Sequence, residues 1–344
     1  MGSSLHDAVN KRSVRDIERL LVQANCKIEC RNILKQTPLH LAVLNNFKLG
    51  VYALLSKEAN VNALDGNGNT PLIYALKKCH IELVEYLIKE GANVNQWNYY
   101  SRTPLQTAAC RPCGKGVKLL LDVGAKVNAQ DHNGDTALHT ACAVWKNTDK
   151  VVKQLIAAEV NINCKNVHGQ TALHMAVRLN IEHYCRSLPP IRTDVRIQVN
   201  NGNTALHCAC DDNKIYDKIN VIEQLIAAGA DINCKAKIGA PLHIALMENK
   251  ENVIQVLLGK GADVNIIDSN GNTALHCACY ATRIADLEKI IEQIIDAGVE
   301  KNYKNKYGKT ALHIASEKNE KKVVQTLLRN GADVNIQDKS GNTA

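Results

Sequence analysis

The stretch TALHCAC occurs at residues 204–210 and again at 273–279, and a relative, TALHTAC, stands at 136–142. A His followed by two Cys offers an imidazole nitrogen and two soft thiols, the donor types of zinc sites and redox centres. The spacing works against such a centre on a helix. Residues two apart point about 200° from each other, so Cys208 and Cys210 cannot close on one ion. A second constellation, CRPCG at 110–114, has the C-x-x-C spacing of a redox pair or zinc half-site. No second pair follows at zinc-finger spacing, no βαβ pattern surrounds it, and Pro112 and Gly114 read as turn residues. The chain contains no G-x-x-x-x-G-K-S/T loop, no nucleophile elbow and no H-E-x-x-H, so neither catalysis nor a cofactor is expected.

The elements that must carry these residues follow from composition and periodicity. The chain has 344 residues, 45% hydrophobic but only 4% aromatic with a single Phe, so its core must be thin layers of Leu, Ile, Val, Ala and Cys. No apolar run approaches the 18 or so residues of a membrane span, and MGSSLHDAVNKRS lacks the apolar centre of a signal peptide, which together predict a cytoplasmic chain without membrane insertion. Thirteen cysteines, an odd number lying mostly inside apolar segments, predict free thiols and no structural disulfide.

The Thr before Pro-Leu or Ala-Leu recurs at Thr37, Thr70, Thr103, Thr136, Thr171, Thr204, Thr273, Thr310 and Thr343, with Ala240 in its place once. These positions are spaced by 33, 33, 33, 35, 33, 36, 33, 37 and 33 residues. A unit this short cannot bury its own apolar face, so it must be stacked. In NTPLIYALKKCHIELVEYLIKEGANVNQWN, Thr70 caps a short helix with Pro71 at its first position. Leu72, Ala75 and Leu76 form one helical stripe. After a break near Cys79 and His80, Ile81, Val84, Leu87 and Ile88 form a second, which ends at Gly91. A turn such as DGNGNT or DHNGDT links each unit to the next.

TPLHLAV at 37–43, GANVN at 91–95 and GADVN at 261–265 and 331–335 resemble the ankyrin repeat, in register over essentially the whole chain. The resemblance implies an all-α repeat solenoid of about ten helix-turn-helix units with β-hairpin fingers, forming one domain over 1–344. Units start near 1, 33, 66, 99, 132, 167, 200, 236, 269 and 306, with a truncated one from 339. It implies that His207, His276 and their counterparts His6, His40, His139, His174, His243 and His313 bond backbone within the cap or the neighbouring unit, and that Cys208 and Cys277 lie in layers on the order of 20 Å apart, as wall material.

The function implied is a non-enzymatic scaffold, monomeric, that binds a protein partner of unstated identity on a concave face of finger tips and inner-helix ends. The alternative is the targeting segment of a larger protein, such as a ubiquitin-ligase adaptor, a channel's cytoplasmic array or a pathogen effector. Most finger tips are small and polar, but QWNYYSRT places Trp97, Tyr99, Tyr100 and Arg102 at one tip, with Ser101 where Gly is usual. The expected contact site is these residues with Lys77, Lys78, Cys110, Arg111, Asn67, Asn69, His132 and Asp135; the competing reading packs Trp97 onto its own repeats. Asn62, Asn95, Asn128, Asn163, Asn233, Asn265 and Asn335 each have Leu eight residues upstream, in the pattern that the family links to asparaginyl hydroxylation, while bridging turn backbone is the stronger reading for their side chains.

Irregularities mark further expectations. The units at Thr136, Thr204 and Thr273 are longer, so alternate layers protrude opposite the fingers. Pro189 and Pro190 end an outer helix near Leu188, and with Arg192 and Arg196 in unusual places an irregular finger is expected over 188–200. Lys301, Lys304, Lys306 and Lys309 interleave with Tyr303 and Tyr307; a solvated finger is favoured there and nucleic acid is not the expected partner. LHDAV at 5–9 with Arg12, Arg15, Glu18 and Arg19 reads as a polar first unit, and the stop at Ala344 just after a new unit opens reads as a fragment of a longer chain.

Overall fold

Thr37, Thr70, Thr103 and Thr136 leave extended backbone and turn directly into short helices, because a Thr hydroxyl can accept an orphan first-turn N–H and Pro or Ala can start the helix without cost. The structure, a computed structural model, describes residues 4–23, 26–111, 113–144, 149–179, 192–211, 219–281 and 283–344. Two compact units divide the chain, Met1–Val167 and His168–Ala344.

In the first unit the helices are α1 (Leu5–Asn10), α2 (Val14–Leu21), α3 (Pro38–Leu44), α4 (Lys48–Leu55), α5 (Pro71–Lys78), α6 (Ile81–Lys89), α7 (Pro104–Ala109), α8 (Gly114–Asp122), α9 (Ala137–Cys142) and α10 (Asp149–Ala157). The second holds α11 (Ala172–Arg178), α12 (Ala205–Cys210), α13 (Ile219–Ala227), α14 (Pro241–Met247), α15 (Glu251–Gly259), α16 (Ala274–Tyr280), α17 (Leu287–Asp296), α18 (Ala311–Glu317) and α19 (Lys321–Arg329). Short capped helices alternate with outer helices throughout the first unit and from Ala205 onward in the second, and both units are all-α repeat stacks.

Helices this short are not stable alone. Burial holds them: Leu72, Leu76, Leu83, Val84 and Leu87 are wholly covered, each such side chain contributing about 1.5–3 kcal/mol. The reversal between α5 and α6 is made by Cys79 in the left-handed region at φ +54°. Gly91, at φ +85°, closes α6: its successor Ala92 donates to the Leu87 carbonyl at 2.9 Å, satisfying an otherwise orphan acceptor.

A repeated staple joins one layer to the next. Nδ1 of His40 accepts the Thr37 backbone N–H at 3.2 Å, so Nε2 carries the proton and donates to the Asn69 carbonyl of the following finger at 3.0 Å. His243 repeats it with Ala240 and Asn272, His276 with Thr273 and Lys309, and His313 with Thr310 and Asn342. Ala240 needs no hydroxyl here, since its N–H supplies the bond. The TALHCAC histidines belong to this set, and burial pushes His207 down to about 4 from the usual value near 6.5. Cys210, Cys277 and Cys279 are buried in the same helices, and burial raises the Cys279 thiol to about 12. Among the described residues no group of three or more His, Cys, Asp or Glu is placed to hold a metal ion.

One expectation is corrected. Cys79 and Cys113 form a disulfide with Cα atoms 5.6 Å apart, where only free thiols were expected. Both sit at the reversal between inner and outer helix of successive repeats, so stacking in register brings them together although 34 positions separate them. Cys110, the nearer partner in sequence, remains a free thiol. Of the finger expected to be irregular over 188–200, the described part keeps the backbone bond of Val199 N–H to the Asn203 carbonyl at 2.8 Å, and Asp194 accepts the Arg196 N–H at 3.0 Å, while Val199 offers no side-chain acceptor in the slot that Asp65 holds. The proposed helix end near Leu188, with Pro189 and Pro190, lies outside the described residues, as do the lengthened connections at 145–148 and 212–218.

The fingers are turns closed by side chains. Asp65 Oδ1 accepts the N–H groups of Asn67 and Asn69, both at 2.8 Å, while its own N–H donates to the Asn69 carbonyl at 3.0 Å. Among the described residues there is one isolated antiparallel bridge, Ala236 to Gly239, and no strand. A tip this short closes on a carboxylate before a ladder can form.

Candidate functional site

The finger at 98–102 keeps this frame with different material. Asn98 stands where the fingers at 65, 131, 268 and 338 carry Asp and those at 32 and 305 carry Asn, and its Oδ1 accepts the N–H of Tyr100 at 3.0 Å and of Arg102 at 2.9 Å. Ser101 takes the left-handed conformation at φ +52°, which Gly supplies in most other fingers. The aromatic tip is thus an addition to an intact turn. Tyr99 and Tyr100 are 64% and 61% exposed, and Trp97 39%, so the tip presents apolar area to solvent.

Tyr100 and Arg102 form one wall of a groove of about 530 Å³. Lys77, at the C-terminal end of α5, and Arg111, just past α7, form the other side, with His132 on the next finger. These five and Cys110, which also lines the groove, were expected at the site. Asn98, Thr107, Asp131 and Asn133 complete the lining and were not expected. Asn98 and Asp131 hold the turn slot of Asp65, a signal that ordinary turn reading assigns to backbone alone, while Thr107 lies one helical turn beyond Thr103.

Electrostatics in the groove are uneven. Three cations face one carboxylate, Asp131, whose Oδ2 lies 3.6 Å from Arg102 Nε. Lys77 Nζ donates to Asn69 Oδ1 at 3.3 Å and sits 5.4 Å from the centroid of the Tyr74 ring. Behind it, Tyr74 donates to Asp65 at 2.7 Å; burial first, then this carboxylate, push the Tyr74 phenol to about 12. Neither Lys77 nor Arg111 has a carboxylate within ion-pair distance among the described residues.

Other expected residues lie elsewhere. Tyr99 lies across the preceding finger: its N–H donates to the Asn67 carbonyl at 3.0 Å, and its ring occupies the space a Cβ on Gly68 would need, 2.6 Å away. Trp97 and Lys78 do not line the groove. Asn69 is 2% exposed and binds Asp65, Lys77 and Asn98. Asp135 accepts from Asn166 Nδ2 at 2.9 Å, and its carbonyl accepts from Gln106. Gln106 stands in the staple slot, with Oε1 accepting the Thr103 N–H at 2.8 Å, so a carboxamide replaces the imidazole in this repeat.

The finger asparagines act between layers. Asn62 Nδ2 donates to the Gly91 carbonyl at 3.1 Å while its Oδ1 accepts the Asn93 N–H at 2.7 Å; Asn95 does the same with Gly124 and Lys126, and Asn265 with Gly298 and Glu300. Asn128 accepts from Asn161, and the Asn335 N–H donates to Asp333. In the lysine-rich segment, Lys309 pairs with Glu317, Lys301 donates to the Asn330 carbonyl at 2.7 Å, and Tyr303 meets the edge of His276.

No helix of the described residues is long and apolar enough to cross a membrane. Comparison with known proteins matches the family described as ankyrin repeats (3 copies) to residues 5–98, 142–236, 215–304 and 242–338, and the single ankyrin repeat to 100–132. An ankyrin repeat protein of fowlpox virus (strain NVSL) is 43% identical over 61 residues, which are 18% of this chain and 32% of that protein. The match therefore spans about a third of the relative's length.

Proposed function

Since the chain belongs to the ankyrin-repeat family, whose members generally mediate protein–protein interaction, we propose that it is a non-enzymatic, monomeric scaffold that binds a protein partner on the face made by finger tips and inner-helix ends. The proposed site is the groove walled by Tyr100, Arg102, Lys77, Arg111 and His132, with Trp97 and Tyr99 on the adjoining tip. The observation that carries it is the finger at 98–102, where Asn98 satisfies the turn and leaves two exposed tyrosines and an arginine without a role in closing it. Tyr and Arg dominate interface energetics because each buries a large rigid surface with a polar end. On this reading the repeats number about ten with the boundaries given above, and the chain works in the cytoplasm.

The test compares wild type with Tyr100→Ala in quantitative affinity capture from host extract, with thermal melts of both proteins. A partner retained by wild type and lost by the variant, at an unchanged Tm, is expected; the loss corresponds to about 1–3 kcal/mol. A lowered Tm with capture undiminished overturns the site.

A further inference from the structure

The groove's charge is more specific than a general binding face requires. Arg111 is exposed at the C-terminal end of α7, where helix carbonyls would attract a cation, yet among the described residues its guanidinium forms no ion pair and no side-chain hydrogen bond. Lys77 uses one neutral oxygen and an aromatic face. Burial first, and then the Arg111 and Arg102 charges, hold the Lys77 ammonium below its usual proton affinity, against the opposing pull of Asp65. Three cations therefore share one small cavity in which the single carboxylate, Asp131, is already committed to Arg102 and to the N–H groups of Asn133 and Asp135.

Resting on the binding face proposed above, we propose that the partner presents an acidic, extended segment whose Asp or Glu carboxylate is seated between Arg111 and Lys77, with Tyr100 packed against the segment's backbone. A carboxylate matches the planar fork of an arginine with two parallel bonds and places a negative charge directly between Arg111 and Lys77. It also gains from being partly withdrawn from water, where charge-assisted bonds are strongest. Asn98, Asn133 and Thr107 supply neutral donors and acceptors for peptide groups on either side. Nucleic acid fits less well: its affinity grows with a line of neutralised phosphates, while these cations converge on one point.

The test uses fluorescence anisotropy with a labelled peptide of alternating Glu and Gly, its Lys–Gly counterpart and a labelled DNA duplex, each titrated with the full chain. The Glu peptide is expected to bind saturably and the Lys peptide not at all. Arg111→Gln and Lys77→Gln should each weaken the Glu peptide by about tenfold, and Arg178→Gln in the second unit should leave it within about twofold. Absent binding of the Glu peptide, binding that ignores Arg111 and Lys77, or Arg111-dependent binding of DNA alone each overturns the acidic-segment assignment. If capture still depends on Tyr100 while the Glu peptide fails, the partner chemistry is wrong and the binding face stands. If both fail, the face itself is wrong.

Discussion

The finger at 268–272 in the second unit and the finger at 98–102 in the first are closed by the same bonds and display different chemistry. Asp268 accepts the N–H groups of Asn270 and Asn272 at 2.7 and 2.8 Å, as Asn98 accepts those of Tyr100 and Arg102 at 3.0 and 2.9 Å. Gly271 and Ser101 occupy the same left-handed position, at φ +77° and +52°. One side-chain oxygen thus specifies each turn, and the residues between are free to be Ser and Asn or two tyrosines. Frame and display are separate in this fold, so a departure at the tip carries information about a surface and not about the turn.

The largest expected effect falls on the frame. Asp268→Ala and Asn98→Ala each leave two turn N–H groups without their acceptor, and each should cost about 2–4 kcal/mol in denaturant unfolding. Costs that differ by more than about twofold would break the equivalence of the two fingers.

A somewhat smaller effect separates the repeats by their staples. The folded state holds His207, His243 and His276 neutral by burial, so stability is complete above the usual histidine value near 6.5 and falls as pH drops from there. For His207, with its value near 4, the loss grows down to that pH and approaches about 3 kcal/mol. Gln106 cannot titrate. Hydrogen exchange at pH 5 should therefore rise around α12, α14 and α16 and stay flat around α7, and His276→Gln should remove part of the acid loss; a uniform rise would count against the staples as its source.

The smallest effect sharpens the tip comparison. Ser101→Gly removes a side chain from the left-handed region and should stabilise by about 0.5–1 kcal/mol in urea unfolding, after deducting the Ser101–His132 contact at 3.0 Å. A net loss would show that this contact matters more than the backbone.

Much of the frame was legible because it repeats. Thr37 and its counterparts announce helix starts, Gly91 an end, and the His slot a staple, since each is a local bond written at a fixed offset. The groove was half legible: Tyr100 and Arg102 stand out against polar tips, and Lys77 and Arg111 follow from their place at inner-helix ends. Asn98 and Asp131 were hidden because they perform a turn role and line the wall at once. Tyr99 is exposed, but its packing across the preceding finger was hidden because Gly68, whose missing side chain makes room for it, lies in another repeat. Cys79 and Cys113 were missed for a related reason: their pairing depends on the register of two layers, which no single repeat records.

That pairing has a mechanical side. A repeat stack drawn out by force lengthens as its layers come undone, and each released residue adds up to about 3.3–3.6 Å of contour. The bond between Cys79 and Cys113 spans 34 positions, so with it intact on the order of 110–120 Å of chain cannot pay out. The segment carrying Tyr100, Arg102 and Arg111 would then bear load as an inextensible link while its neighbours behave as springs.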